Sequence, residues 1–393
     1  MTEKPPYRVP SMEEVRAIPW NGFVAASTFS GCGGSSLGYR MAGFRVLYAS
    51  EFVEAARETY AANMAPGTVL DPRDVRTVKP EDILGQIGLE AGQLDLLDGS
   101  PPCASFSTAG KREKHWGQVK TYSETEQRTD DLFFEYARLV RGIQPRTFVA
   151  ENVSGLVKGT AKGYFLEILA ELKACGYRVA AAVLDAQWLG VPQARQRTIF
   201  VGVRADLERD PVFPKPLPYR YSIRDALPWI DSVVHDTSGQ FGAGEVTDRP
   251  SPTITVGVNA VNSLHFKVDG PEVDDLDIGR YAIGKEWERL RQGEQSDRYF
   301  NLVRADENKP SPTICASHGV LGMAGVTHPR ERRKFTIAEL RRICAFPDDF
   351  VLTGDYKQRW ERLGRAVPPL MMRAIAERLR DDVLLPLRAE GRI

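Results

Sequence analysis

Short apolar runs alternate with segments of helical periodicity over the first half of the chain. Strands separated by helices are typical of βαβ units wound around a parallel sheet. The runs that predict buried strands lie at residues 23–29, 46–50, 95–98, 148–151, 179–184 and 198–203. The pattern therefore predicts an α/β fold with a mostly parallel sheet and helices on both faces.

Three helices are predicted between these strands. The first begins at about Ser35, directly after a glycine-rich turn. The second follows Asp130 and carries its apolar residues on one face, with Thr129 or Asp130 available as the N-cap. The third lies near Tyr164, and Gly176 can end it because glycine readily adopts the left-handed conformation of a C′ residue.

The regular pattern stops after residue 204 and returns near the C-terminus. Residues 205–305 are rich in Pro, Asp and Gly, and a PSPTI segment occurs twice, at 250–254 and 310–314. Thr336 can cap one late helix, and two prolines begin a final amphipathic helix over residues 367–379. We predict an N-terminal extension, a catalytic domain, an irregular second domain and C-terminal helices that return to the catalytic domain, at residues 1–20, 21–204, 205–325 and 326–393.

The 393 residues carry 52 basic and 52 acidic side chains, so a polyanion would have to meet a local basic patch. Five cysteines without CxxC spacing predict neither a disulfide framework nor a zinc site, and we expect no metal. No apolar run is long enough to cross a bilayer, which favours a cytoplasmic location without membrane contact. A candidate phosphate-binding patch, or alternatively a solvated helix face, consists of Arg330, Arg332, Arg333, Lys334, Arg341 and Arg342.

A glycine-rich turn follows the first predicted strand at residues 29–36. Glu51 lies at the end of the second strand, where an acidic side chain can accept hydrogen bonds from ribose hydroxyls. Ser36 takes the place of the third glycine of a dinucleotide fingerprint, so S-adenosylmethionine fits better than a dinucleotide. The alternative is a glycine-rich turn that binds no ligand.

Chemically active side chains lie at the ends of two other predicted strands and directly before a third. Cys103 comes after two prolines at the end of the third strand, and Glu151 and Asn152 end the fourth. Arg195 and Arg197 precede the last strand. Because the carboxyl ends of parallel strands share one edge of a sheet, the sequence predicts that these groups meet in one pocket.

Five motifs occur along the chain in the order FSGCGG, PPCASFS, ENV, QARQR and GRAVPP. In sequence and in order they resemble the motifs of the DNA cytosine-5 methyltransferase family. The resemblance covers most of the chain, from Phe29 to Pro369. It implies a class I S-adenosylmethionine-dependent, Rossmann-like methyltransferase fold with a smaller target-recognition domain. It also implies that the enzyme methylates carbon 5 of a cytosine flipped out of duplex DNA.

The resemblance assigns catalytic roles to four residues. The Cys103 thiolate attacks carbon 6 of cytosine, which makes carbon 5 nucleophilic, and Glu151 neutralises the charge at N3. Arg195 and Arg197 offer donors to the cytosine O2 and to Glu151, with Arg197 favoured for O2. Further contacts to the catalytic loop, to phosphate or to DNA are implied for Asn152, Ser107, Lys111 and Arg112.

The same resemblance implies a set of residues that bind S-adenosylmethionine. Glu51 takes the ribose, Phe52 packs on the adenine, Asp74 meets the adenine amino group and Pro102 backs the methyl donor. Either phenylalanine of the set could instead be a core residue. The complete set is Phe29, Gly31, Gly33, Glu51, Phe52, Asp74, Pro102, Arg365, Ala366 and Val367.

Arg365 departs from the family pattern, which has a neutral amide at this position. A guanidinium beside a sulfonium is unfavourable unless it finds an anion. Arg365 could therefore face a carboxylate or a DNA phosphate, could grip the methionine carboxylate of the donor, or could accommodate carboxy-S-adenosylmethionine and yield carboxymethylcytosine.

Other functions remain open at this point. The same catalytic motifs would serve methylation of tRNA cytosine, and a DNA-binding decoy could flip bases without turnover. A nicotinamide oxidoreductase would share the glycine turn but would not explain Cys103 or Glu151. We expect a monomer acting on double-stranded DNA, with a cognate restriction endonuclease as a potential partner.

Overall fold

The computed structural model describes residues 4–64, 66–102, 120–122, 125–127, 131–158, 161–230 and 276–393. Some of the residues singled out above lie outside the described part, namely Cys103, Ser107, Lys111, Arg112, Thr129, Asp130 and the first PSPTI segment.

The described residues contain eleven strands. In chain order these are β1 Val24–Thr28, β2 Arg45–Ser50, β3 Val69–Asp71, β4 Leu96–Gly99, β5 Lys120–Tyr122, β6 Thr125–Gln127, β7 Thr147–Val153, β8 Tyr177–Asp185, β9 Gln196–Arg204, β10 Val303–Arg304 and β11 Val326–Thr327. All six predicted strands are present, and β3, a three-residue edge strand, is one that the pattern missed.

Seven strands form the central sheet in the order β3-β2-β1-β4-β7-β9-β8. The pairs from β3 to β7 are parallel, whereas β9 runs antiparallel to both β7 and β8. The mostly parallel α/β sheet is therefore confirmed. The reversal has a consequence for the site, because the start of β9 lies beside the end of β7, with Arg197 opposite Val153.

Helices cover both faces of the sheet, as predicted. Alternate residues of a strand point to opposite faces, so Ala25 and Leu96 pack with α2, α11 and α12, whereas Ala26 and Leu97 pack with α4, α5 and α6. The helices of the described residues are α1 Met12–Ala17, α2 Gly34–Met41, α3 Glu54–Met64, α4 Pro80–Ile87, α5 Leu132–Ile143, α6 Ala161–Ala174, α7 Ile223–Ala226, α8 Ala282–Trp287, α9 Ile337–Ile343, α10 Tyr356–Arg365, α11 Pro369–Leu379 and α12 Leu385–Ala389.

The helix termini agree with the sequence prediction at α6 and α9 but not at α5. Gly176 follows α6 with a positive φ of 94°, and the Thr336 side chain accepts a hydrogen bond from the backbone N–H of Glu339 to cap α9. The N-cap of α5 is Asp131, so the predicted cap was wrong by one residue or more. The Asp131 carboxylate makes no capping bond and instead pairs with Arg76 at 2.6 Å.

The chain outside the sheet contributes two further hydrophobic clusters. A small one holds Ile278, Trp287 and Leu302. A larger one joins α7, the second PSPTI segment and helices α2, α9 and α10. Part of the predicted second domain thus shares a core with the C-terminal helices, and the domain boundaries stay predictions. None of the helices in the described ranges is both long and apolar enough to cross a membrane.

Candidate active site

A cavity of about 920 Å³ opens at the carboxyl edge of the parallel strands. Its walls come from the segments that follow β1, β2, β4 and β7, from the approach to β9 and from two segments near the C-terminus. Most of the predicted site residues within the described ranges line it, and these are Phe29, Gly31, Glu51, Phe52, Pro102, Glu151, Asn152, Arg195, Arg197, Arg365, Ala366 and Val367.

The glycine-rich turn forms one wall of the cavity and requires unusual backbone angles. Phe29, Gly31 and Gly33 have φ values of 54°, 55° and 96°. Gly33 is not part of the cavity wall; a Cβ there would lie 3.1 Å from the Tyr60 ring, so this glycine serves the turn itself. Gly34 approaches the carbonyl oxygen of Val367 so closely that a Cβ would lie 2.3 Å from it. The turn and the GRAVPP segment are therefore packed backbone to backbone.

Glu51 faces the cavity at the end of β2. Its two carboxylate oxygens each accept a backbone N–H, from Gly31 and from Val53, at 2.7 Å. Burial raises the pKa of this carboxyl group. Phe52 is 37% exposed beside it. The structure does not bring Asp74 to the cavity wall, since its carboxylate accepts the backbone N–H of Arg76 and pairs with the Arg76 guanidinium at 3.1 Å.

Glu151 and Arg197 form an ion pair on the opposite wall. The Arg197 Nε lies 2.6 Å from Glu151 Oε1, and both side chains are largely buried. The antiparallel pairing of β7 and β9 places them together, because Val153 and Arg197 are opposite each other in the register. Asn152 donates from Nδ2 to the Pro101 carbonyl at 3.3 Å, which ties the end of β7 to the segment that precedes Cys103.

Arg195 is 1% exposed and directs its guanidinium into the protein. Nη1 donates to the carbonyl of Ile314 at 3.2 Å, and Nη2 donates to those of Gly364 at 3.0 Å and Arg365 at 3.3 Å. Burial, together with the neighbouring charge of Arg197, lowers the pKa of Arg195 to about 9. The two arginines predicted to act together thus differ, since one binds backbone carbonyls and the other binds Glu151.

Arg365 lies at the end of α10 and is 44% exposed. Its Nε donates to Glu361 Oε1 at 2.8 Å, one helical turn earlier. Of the three possibilities left open for Arg365, the structure agrees with the first, in which the guanidinium faces a carboxylate, and that carboxylate belongs to Glu361. Glu361 itself lines the cavity.

A buried polar cluster beneath the glycine turn was missed by sequence reasoning. Asp98, in β4, accepts hydrogen bonds from the Ser27 hydroxyl at 2.7 Å and the Tyr39 hydroxyl at 2.9 Å. Ser30, which lines the cavity, donates to Ser27 Oγ at 3.1 Å. Burial, together with a smaller effect of the charge of Glu151, raises the pKa of Asp98 to about 7. The sequence signal that could have revealed this cluster is Asp98 itself, an aspartate within the otherwise apolar strand β4.

The prediction of a phosphate-binding patch was wrong, because the basic side chains of this cluster are neutralised by carboxylates or buried. Arg330 pairs with Glu307 at 2.5 Å, Arg332 pairs with Asp277 at 3.2 Å and Arg333 pairs with Glu339 at 2.8 Å. Arg342 pairs with Asp348, and Lys334 and Arg341 are buried. Glu307 and Asp277 lie 23 and 55 residues from their partners, so these two pairs could not be recognised in the sequence alone. No group of three or more potential metal ligands occurs among the described residues.

The chain matches the family model for C-5 cytosine-specific DNA methylases over residues 23–381. It is 31% identical to the type II methyltransferase M1.HphI of Haemophilus parahaemolyticus, over 89% of this chain and 84% of that protein. It is 29% identical to the type II methyltransferase M.DdeI of Desulfomicrobium norvegicum, over 89% of this chain and 87% of that protein.

Solved structures share the fold. A structure described as a prophage-encoded DNA modification methyltransferase of E. coli has a TM-score of 0.66 and 22% identity, covering 93% of this chain and 100% of its own. A DNMT2 variant of Spodoptera frugiperda has a TM-score of 0.58 and 18% identity, covering 91% of this chain and 99% of its own. The family match spans most of the sequence and all of the cavity walls. The chain therefore belongs to the C-5 cytosine-specific DNA methylases, which methylate DNA at carbon 5 of cytosine.

Proposed function

We propose that the cavity holds S-adenosylmethionine next to a cytosine turned out of duplex DNA, and that Cys103, Glu151 and Arg197 perform the transfer. The observation that carries the proposal is the Glu151–Arg197 ion pair at 2.6 Å. It lies in the wall that also contains Pro101 and Pro102, the residues directly before Cys103.

The residues of the glycine turn fit a nucleoside with a positively charged sulfur. Each oxygen of Glu51 accepts one backbone N–H, which leaves acceptor capacity for ribose hydroxyls. The half-exposed ring of Phe52 offers a face for an adenine, and a carboxylate near the cavity suits a cation. When bound, S-adenosylmethionine supplies an electrophilic methyl group.

Cys103 lies outside the described residues, and its role rests on the PPC motif and the family. In the proposed sequence of steps, its thiolate forms a bond to carbon 6, and the electron pair of the C5–C6 double bond becomes available at carbon 5. Carbon 5 would bond to the methyl group as the S–CH3 bond of the donor breaks, with S-adenosylhomocysteine as the leaving group. A solvent water would then take the carbon 5 proton, the electron pair of the C5–H bond would re-form the C5–C6 double bond, and the thiolate would leave.

Glu151 and Arg197 manage the charge that this addition pushes onto the ring. Glu151, when protonated, can share its proton with N3, while Arg197 favours the carboxylate that remains. The Arg197 guanidinium uses Nε for Glu151 and Nη1 for the Gln196 carbonyl, which leaves N–H groups for the cytosine O2.

For Arg195 we propose a positioning role instead of contact with the base. Its hydrogen bonds hold the carbonyls of Ile314 and Gly364, so it joins the second PSPTI segment and the GRAVPP segment to the approach of β9. That arrangement would fix Arg197 two residues later. Ser107, Lys111 and Arg112 keep the roles predicted from the sequence, whereas the predicted contact of Asp74 with the adenine is not part of the proposal, because Asp74 pairs with Arg76 away from the cavity wall.

The relatives are type II methyltransferases, which supports a place in a restriction-modification system with a cognate endonuclease. Methylation of tRNA and a catalytically silent decoy are the competing functions. The expected partner is duplex DNA, and S-adenosylmethionine is the expected donor.

Base-resolution mapping of cytosine in cellular DNA tests the proposal. Cells expressing the wild type should carry methylcytosine at one recurring sequence, and cells expressing Cys103→Ser should not. Glu151→Gln should lower the rate of the chemical step by about 10²-fold or more. Mapping tRNA from the same cells is the control; methylation there and not in DNA, or wild-type activity in Cys103→Ser, would overturn the proposal.

A further inference from the structure

The rim of the cavity next to β8 contains Gln187, whose side-chain amide is held by hydrogen bonds at both its nitrogen and its oxygen. Gln187 and Asp185 both line the cavity. The Gln187 Nε2 donates to Asp185 Oδ2 at 2.8 Å, and its Oε1 accepts from Arg220 Nη1 at 3.0 Å. Arg220 is therefore attached to the rim through a residue of the cavity wall.

Arg220 is also ordered by its neighbours. Its guanidinium carbon lies 4.7 Å from the centre of the Trp188 ring, which is 37% exposed. The backbone N–H of Leu217 donates to the Trp188 carbonyl at 2.8 Å, which anchors the segment that carries Arg220. Tyr221, the next residue, is buried against Tyr7. Stacking and anchoring reduce the conformational entropy that Arg220 would lose on binding a ligand.

The charge of Arg220 is not neutralised within the described residues. No Asp or Glu oxygen of those residues lies within 4 Å of it, and its two neighbours are a neutral amide and an indole ring. The basic residues at positions 330–342 differ, because four of them have a carboxylate partner. Only one of the five N–H groups of Arg220 is used by Gln187, so a fork of donors remains.

A short chain of polar contacts connects this rim to the catalytic pair. Gln196 donates from Nε2 to Asp185 Oδ2 at 3.5 Å, and its carbonyl accepts from Arg197 Nη1 at 2.8 Å. Arg220 thus belongs to the side of the cavity that holds Glu151 and Arg197.

We infer that Arg220 binds a backbone phosphate beside the cytosine that enters the cavity. This inference rests on the proposed function. A base turned out of the duplex stays bonded to its strand, so the neighbouring phosphates must pass the rim of the cavity that receives it. A planar guanidinium with free donors and an uncompensated charge matches the oxygens of a phosphate.

The test compares two variants that each remove one positive charge, one near each end of β8. Arg220→Gln alters the proposed contact. Arg178→Gln is the matched control, because Arg178 lies at the other end of β8, is half exposed and pairs with Asp210. Binding to a duplex that contains the mapped target is measured between about 50 and 200 mM salt, together with methylation kinetics.

Arg220→Gln should weaken DNA binding by roughly tenfold near 0.1 M salt and reduce the slope of log K against log salt by about 0.9, the value for one phosphate. Its KM for DNA should rise while kcat stays within about twofold of wild type, since this residue does not touch the reacting atoms. Arg220→Lys should restore the slope, because it keeps the charge. Arg178→Gln should match the wild type.

Two results would overturn the inference while leaving the proposed function intact. In one, wild-type enzyme methylates DNA and Arg220→Gln binds with unchanged affinity and slope. In the other, Arg178→Gln loses as much affinity as Arg220→Gln, which would indicate a general effect of net charge. A wild type that neither binds nor methylates the duplex would refute the proposed function and this inference together.

Discussion

Arg195 provides the most informative perturbation, because the sequence predicts that it donates to the cytosine O2 or to Glu151, whereas its hydrogen bonds to backbone carbonyls point to a structural task. We consider Arg195→Leu, which keeps an apolar stem but removes the guanidinium. Two buried carbonyls, those of Ile314 and Gly364, and the partly buried carbonyl of Arg365 then lose a charged donor. The segments that they belong to form two walls of the cavity.

The magnitude follows from these contacts. A hydrogen bond to a charged group contributes about 1.5–3 kcal/mol, so three bonds would sum to several kcal/mol. The loss is partly offset, because a guanidinium no longer has to be kept out of water. We expect Arg195→Leu to lower the free energy of unfolding by about 3 kcal/mol and Arg195→Lys, which can reach fewer carbonyls, by about half as much.

Urea unfolding measures the stability, and steady-state kinetics measures the consequence for the site. The KM for S-adenosylmethionine should rise in both variants, since the carbonyls of Gly364 and Arg365 belong to the segment that packs on the glycine turn. Arg197→Leu, two residues later, is the control, and it should raise the activation free energy obtained from kcat by more than it lowers the free energy of unfolding. If Arg195→Leu unfolds at the wild-type urea concentration while kcat collapses, the positioning role is wrong and the contact with the base is supported.

Two further predictions concern buried and exposed charge. Burial raises the pKa of Asp98 to about 7, so its contribution to stability is complete below about pH 4 and is lost as the pH rises through 7. Between about pH 5 and pH 8 the wild type should therefore lose about 2 kcal/mol more unfolding free energy than Asp98→Asn, and parallel pH profiles from urea unfolding would show that Asp98 is ionised in the fold. Arg365→Asn should change stability by less than about 1 kcal/mol, because its ion pair with Glu361 is partly exposed. It should also leave the preference for S-adenosylmethionine over carboxy-S-adenosylmethionine unchanged, and a shifted preference in competition assays would restore the donor-selection role.

The sequence was sufficient to predict the fold class and the position of the site at one edge of the sheet. Strands buried on both faces are mostly apolar, so β1, β2, β4, β7 and β9 were visible as apolar runs, and the partly exposed edge strand β8 showed such a run as well. The missed strand β3 has only three residues, which is too short to show a pattern. The motifs around Glu51 and Glu151 could be assigned to one pocket, because strand ends at one edge of a parallel sheet converge.

The tertiary structure alone decided what each charged side chain does. Arg195 and Arg197 are two residues apart in one motif, yet one binds backbone carbonyls and the other binds Glu151. The basic cluster near the C-terminus is neutralised by acids from other parts of the chain, whereas Arg220, which no motif marks, keeps its charge at the rim of the cavity. The physical reason is that residue type sets the chemistry available at a position, but burial and the sign of neighbouring charges depend on contacts between residues distant in sequence.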